Sequence, residues 1–296
     1  MTSAITDGLR LLVMDAYAPA GREALRTVGA TEAGALYERM LRRVAADAAI
    51  DLHVDVAYPA DAELALPAGA SIADYDGIAW TGSSLTIHDE ADPAVRRQVD
   101  VARAAYQAGV PSFGSCWAAQ LAVVAAGGIC AANPRGREFG VGRKIALTDE
   151  GASHPLFRNK ALVFDAFTSH GDEVVTLPPG GRLLASNGFS RVQAVAVENG
   201  QGSFWAVQYH PEYDLHEVAR LCVVRSAELI AQGNFRDAAD AEAWVDALET
   251  LHRDPSRTDI AFRLGIDEDL LDERRSDIEV RNWLESQVIP RAAARR

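Results

Sequence analysis

The stretch that decides the fold is PSFGSCWAAQ, Pro111 to Gln120. A short β-rich run, VPSFGS, passes through Gly114-Ser115-Cys116-Trp117-Ala118 straight into an apolar helix expected over residues 117–126, closed by Gly127-Gly128. A strand that turns directly into a helix exposes the residue at the bend on a sharp turn, the arrangement used to present a nucleophile. Here that residue is Cys116, at a helix N-terminus where the dipole favours negative charge on sulfur. A lone cysteine is usually a small buried hydrophobe. Cys130 and Cys222 are read that way; Gly114 before Cys116 and the helix after it set Cys116 apart.

Outward from this elbow, strands and helices alternate. Leu9–Asp15, Leu52–Tyr58 and Tyr75–Gly82 read as strands. Leu36, Met40, Leu41 and Val44 fall at helical spacing. Asp92-Pro93 supplies an N-cap and a proline at the first helical position. Val95, Val99, Ala102 and Tyr106 follow on one face, and Gly109 closes that helix. This order predicts an α/β fold with a mostly parallel central sheet and helices on both faces. From about residue 142 to 209, RKIALTD, ALVFDAFTSH, RLLASN, VQAVAVE and SFWAVQYH are short β segments between turns. They predict an antiparallel, β-rich extension beside the parallel sheet. After Pro211 the chain turns helical. Residues 1–230 are taken as the main domain and 231–296 as an α-helical C-terminal extension anchored by Trp244, Leu248, Leu264 and Trp283. The closing PRAAARR is expected to fray.

Length and composition exclude several classes. The chain has 296 residues, and a chain of that size buries a full core without staples. A net charge of −13 argues against nucleic acid and anionic membrane surfaces as partners. Three cysteines cannot build a disulfide framework and point to a reducing compartment, so the cytoplasm is expected. No apolar run approaches the roughly 18 residues of a membrane span. The start, MTSAITDGLRLLVMD, lacks the basic region and long apolar run of a signal peptide.

A cysteine nucleophile needs a base, and the base needs an orienting group. SFWAVQYHPEY supplies both: an apolar strand delivers His210, Pro211 ends the ladder, and Glu212 lies two residues on, within reach of the imidazole. With these residues in place, the chain resembles the class I, triad-type glutamine amidotransferases, most nearly the glutaminase domain of GMP synthases. Gly114, Cys116 and Gln120 match the family motif Gly-x-Cys-x-Gly-x-Gln, with Ala118 in place of the second Gly. His210-Pro211-Glu212 matches the closing motif. Ser169-His170-Gly171-Asp172 matches a segment of the GMP synthase branch, and Thr81-Gly82-Ser83-Ser84 stands for the early Gly-rich turn. The four occur in family order over about residues 10–225. Ala118 is the smallest intrusion available, so the elbow is expected to survive it.

The resemblance implies roles. Cys116 attacks the γ-carbonyl of glutamine, His210 moves the proton, and Glu212 orients His210. Backbone N–H groups of Trp117 and of Ser83 or Gly82 hold the oxyanion. Gln120, Ser169 and His170 hold the glutamine amino and carboxylate groups. No cofactor or metal is implied. His88, Asp89, Glu90 and Asp92 read as a polar loop leading to a helix cap near the active-site mouth rather than as a metal cluster. Asp15 and Tyr17 end the first strand at the sheet edge where ligands bind in open α/β folds, though Asp there more often forms a turn. The residues after the triad carry no Ser-Gly-Gly-x-Asp-Ser loop and no Walker A loop, so the chain is not expected to be a whole GMP synthase. Three readings stay open. It is a glutaminase that passes ammonia to a separate synthetase subunit, a hydrolase of γ-glutamyl amides or peptides acting alone, or a non-catalytic binding module with a vestigial site. Trp117 and the Ile87–Asp92 loop are expected to shape the leaving-group channel that separates the first two. Self-association is left open.

Overall fold

The computed structural model describes residues 8–67 and 69–295. Residues 1–7 of the stretch on which the signal-peptide reading rests lie outside the described residues. The chain runs β1 (Leu9–Met14), α1 (Pro19–Thr27), α2 (Ala33–Asp47), β2 (Leu52–Ala57), β3 (Gly77–Trp80), α3 (Pro93–Gln107), β4 (Ser112–Ser115) and α4 (Trp117–Ala125). It continues through β5 (Ile129–Ala132), β6 (Glu138–Leu147), α5 (Asp149–Ser153), β7 (Val163–His170), β8 (Asp172–Thr176), β9 (Gly181–Ser186), β10 (Ala194–Asn199) and β11 (Gly202–Val207). Helices α6 (Leu215–Ala231) and α7 (Ala238–Arg253) and a run of shorter helices to Arg295 complete it.

Nine strands form one sheet in the order β2-β1-β3-β4-β11-β10-β9-β6-β7. The first five are parallel to one another. The next four are antiparallel and continue the same sheet from β11 outward. The β-rich extension is therefore joined to the parallel sheet through its own hydrogen bonds. A two-stranded β5–β8 ribbon stands apart from it. Sequence reading missed both ribbon strands, because Ile129–Ala132 is short and Asp172–Thr176 lies only one residue beyond β7.

Alternation along β1 assigns its residues to two faces. Leu12 and Met14 pack with Val95, Val99 and Ala102 of α3 and with α4. Leu9, Leu11 and Val13 pack with Tyr37, Met40, Leu41 and Val44 of α2. The α3 face begins as expected, with the Asp92 carboxylate accepting from the Ala94 N–H at 2.7 Å. Helix α4 is apolar except for Gln120 because it lies between the sheet and the β5–β8 ribbon, and eight of its nine residues are buried.

The C-terminal helices close the α2 face. Trp283, Leu284, Val288 and Ala292 belong to the same core cluster as Leu9 and Phe113. The Trp283 ring packs tilted on Phe113, centroids 5.8 Å apart, and crosses so close to the sheet that a Cβ at Gly77 would meet it at 2.9 Å. The expectation that PRAAARR frays is corrected for residues 290–295; Arg296 lies outside the described residues. Arg291 donates to the Gly109 carbonyl at 2.6 Å and Arg295 to the Tyr75 carbonyl at 3.0 Å, which ties the last helical turns to loops under the sheet. Among the described residues, no helix is long and apolar enough to cross a membrane.

Two consequences of this packing can be measured. Trp283→Ala should cost roughly 3–5 kcal/mol in denaturant unfolding, the range for deleting a buried aromatic ring. At Gly114 an added Cβ would lie 2.4 Å from both the Ala118 Cβ and the Trp80 carbonyl oxygen. Gly114→Ala should therefore destabilise by about 1–3 kcal/mol. Adding Ala118→Gly should restore only part of that loss, because the Trp80 backbone does not yield; full rescue would show that the carbonyl contact is unimportant.

Candidate active site

Strands β4 and β11 lie side by side and parallel, with Ser115 opposite Val207. Both end at the same edge of the sheet, and the turns leaving their two ends form the site. After β4 the chain bends at Cys116, whose φ of 53° and ψ of −98° are rare for a side chain with a Cβ. The bend is held from both sides: the Cys116 N–H donates to the Val207 carbonyl at 2.8 Å, and α4 begins at the next residue. The thiol reaches the Ser169 carbonyl at 3.7 Å. After β11, the His210 N–H donates to the Phe167 carbonyl at 2.8 Å, fixing the turn into Pro211 and Glu212.

His210 and Glu212 meet at 2.7 Å, Nδ1 to Oε1, both buried. The same carboxylate oxygen accepts from the Ser115 hydroxyl at 2.9 Å, and Ser115 accepts from the Tyr37 hydroxyl at 2.7 Å. Burial and the neighbouring Glu212 push the Tyr37 phenol well above its ordinary range, so it remains a donor. Tyr213 stacks on the His210 ring at 3.9 Å and 6°. Burial by itself would lower the basicity of His210. The Glu212 carboxylate and the Cys116 thiol outweigh it and raise its pKa to about 9. Nε2 is left without a full hydrogen bond, with the thiol beside it. Gly82 makes room for this ring: a Cβ there would lie 2.8 Å from His210 Cε1 and 3.7 Å from Cys116 Cβ.

The structure thus brings Cys116, His210, Glu212 and Gly82 together. Ser83 lies beside them, its hydroxyl donating to the Ala16 carbonyl at 2.9 Å. Trp117 opens α4 and borders the cleft, and its buried indole donates to Gln98 Oε1 at 2.9 Å. Gln120 is buried, with its amide 3.5 Å from the Asp172 carbonyl. Ser169 borders the same cleft, with its hydroxyl unpartnered. Both ring nitrogens of His170 are engaged, Nδ1 with the Asp172 carbonyl at 3.0 Å and Nε2 with Glu138 at 2.8 Å. Burial opposes ionisation of Glu138. Its bonds from His170, Asn187 and Gln193 nevertheless hold its pKa below the usual value. His88 stands at the cleft with Nε2 3.4 Å from Asp172. Asp15 accepts from the Gly34 and Tyr17 N–H groups, the turn-forming role. Cys130 and Cys222 are core thiols, each pushed up to about 12 by burial.

Sequence reasoning missed Tyr37, Ser115, Tyr213, Glu138, Arg137 and Arg225. Ser115 was legible in principle, as the residue before the elbow. Tyr213 closes the quoted SFWAVQYHPEY stretch, but nothing local marks it as a stacking partner; the others come from distant elements and carry no local signal. Of these, Arg137 and Arg225 line, with the loop Ser83–Thr86, an open cleft of about 410 Å³ with Cys116 in its wall.

Comparisons with known proteins agree with this arrangement. The profile for "Glutamine amidotransferase class-I" matches residues 34–221. A gamma-glutamyl-L-1-hydroxyisopropylamide hydrolase from Pseudomonas sp. is 32% identical, over 96% of this chain and 95% of that protein. A GMP synthase from Methylobacillus flagellatus is 30% identical over 46% of this chain, but the match covers only 25% of that longer protein. In structure, a glutamine amidotransferase from Thermotoga maritima superposes with a TM-score of 0.63 over 95% of this chain and 99% of its own, at 15% identity, a likeness of fold. The profile match over more than half the chain and the near full-length relative carry one conclusion: this protein belongs to the class I glutamine amidotransferase family.

Proposed function

We propose that this chain is a cysteine-dependent hydrolase of γ-glutamyl amides that acts alone. Cys116 Sγ attacks the γ-carbonyl carbon, and His210 Nε2 accepts the thiol proton. Backbone N–H groups of Trp117 and of Ser83 or Gly82 receive the oxyanion. The tetrahedral adduct collapses, the C–N bond breaks, and His210 returns the proton to the departing amine. Water, deprotonated by His210, then attacks the γ-glutamyl thioester and releases glutamate and the thiol. Glu212 holds His210 in one tautomer and stabilises its cation. Ser115 and Tyr37 fix Glu212. Gln120 and Ser169 border the glutamyl head group, and His170 braces the Ser169–Asp172 wall from within. The free thiol of Cys116 fits a reducing, cytoplasmic setting.

The observation that carries the choice of substrate is extent. Likeness to the Pseudomonas hydrolase runs over nearly all of both chains, whereas likeness to GMP synthase stops at the glutaminase part. That likeness favours a second reading, a glutaminase that hands ammonia to a separate synthetase.

Release of amine and glutamate should be followed on L-glutamine, on small N-alkyl γ-glutamyl amides and on γ-glutamyl peptides, with Cys116→Ala as control. The proposed reading expects substituted amides to exceed glutamine in kcat/KM by about tenfold or more, a difference of only about 1.4 kcal/mol in transition-state binding, with all turnover lost in Cys116→Ala. Turnover of glutamine alone would favour the second reading, and turnover that survives Cys116→Ala would end both. A second test concerns Glu212. Glu212→Gln removes the charge that supports the imidazolium, so the His210 titration followed by NMR should fall from about 9 by ~1–3 pH units. An unmoved titration would mean that Glu212 does not support the cation.

A further inference from the structure

The cleft beside Cys116 has one wall whose charge the proposed chemistry does not use. Arg137, at the start of β6, and Arg225, in the middle of α6, both line it. They share a single carboxylate: Arg137 Nε donates to Glu228 Oε1 at 3.0 Å, and Arg225 Nη1 lies 3.5 Å from Oε2. Each guanidinium has five N–H donors, and Glu228 is the only side-chain acceptor the described residues supply to either. Among the described residues, Arg225 Nε is buried without a hydrogen-bond partner. The Arg137 guanidinium lies against the substrate loop, where a methyl at Gly171 would sit 3.5 Å from its Nη2.

On this wall two cations share one bonded carboxylate, and the other anion of the cleft, Asp172, forms an ion pair with neither. The chain carries a net −13, so this wall does not follow from composition. Nor is it an ordinary solvated surface pair, since both arginine side chains are only 15% exposed. Ordering two guanidiniums with unused planar N–H forks is costly unless an acceptor fills them, and the fork matches a carboxylate in two parallel bonds. The pair faces Asp172 across the same cleft.

We propose that Arg137 and Arg225 form the carboxylate-binding subsite of this cleft and restrict its substrates to γ-glutamyl amides that present a carboxylate there. This rests on the proposed hydrolysis. The carboxylate has two possible sources, the α-carboxylate of the glutamyl group or a carboxylate on the departing amine. The shared chemistry is a planar anion held by the two forks.

The test uses Arg137→Gln, Arg225→Gln and the corresponding Lys variants of the whole chain. Its first arm needs no turnover: the rates of Cys116 alkylation by iodoacetate and by iodoacetamide are compared. The Gln variants should lower the iodoacetate-to-iodoacetamide ratio about 10-fold or more, as loss of a charged hydrogen bond predicts, and the Lys variants should lower it less. The second arm measures kcat/KM. Loss confined to substrates with a free α-carboxylate, compared with their α-carboxamides, assigns the glutamyl group. Loss confined to γ-glutamyl-alanine, compared with γ-glutamyl-alaninol, assigns the amine. Either supports the subsite. Equal effects on carboxylate-bearing and carboxylate-free partners in both arms, including no effect, overturn it. A wild-type chain without Cys116-dependent turnover would overturn the hydrolysis instead, and the alkylation ratio would still judge the subsite.

Discussion

Everything at the site depends on one strand pairing. Strands β4 and β11 are parallel, in register from Phe204 opposite Ser112 to Val207 opposite Ser115, and end together. That pairing lets Val207 accept the Cys116 N–H and places His210 three residues beyond the same line. A one-residue slip would turn the side chains of one strand to the other face. Such a slip is strongly opposed, because Trp205 and Val207 on one side and Phe204 and Ala206 on the other are fully inside two separate core clusters. The strained turn at Cys116 is therefore held by packing remote from it. Gly114 lets α4 approach the sheet at the point where any Cβ would collide with backbone.

The second constraint is polar. Tyr37, Ser115, Glu212 and His210 form a buried chain in which each donor meets one acceptor. A lone buried carboxylate would be expensive; here Oε1 takes both the Ser115 hydroxyl and the imidazole, while Oε2 has no partner among the described residues. The chain links α2, β4 and the turn after β11, so the orientation of His210 is fixed by three elements. It also sets the direction of proton flow: Nδ1 is committed to Glu212, and Nε2 is the one nitrogen left for chemistry.

Much of this was legible in the sequence. The elbow at Cys116, the Asp92 cap, the α2 and α3 faces and the His210-Pro211-Glu212 turn are encoded within a few neighbouring residues, and local geometry decides them. The features that were not legible depend on long-range contacts. Ser115 gains its meaning only from Tyr37, far upstream. Tyr213 reads as one more residue in a polar turn until it stacks on His210. His170 reads as a ligand group, yet Glu138 and a main-chain carbonyl take both its nitrogens. The last helix reads as polar and Arg-rich, so fraying was the natural expectation. Its arginines instead find carbonyls at loop ends that the sequence does not place nearby.

The central claim is that Cys116 carries the γ-glutamyl group during turnover. Acid-quenched mass spectrometry of the chain mixed with an excess of a γ-glutamyl amide tests it most directly. The account predicts an adduct of one glutamyl residue on the peptide that contains Cys116, labile to hydroxylamine and absent from Cys116→Ala. Turnover with no adduct in the approach to steady state, or an adduct on any other residue, would contradict it.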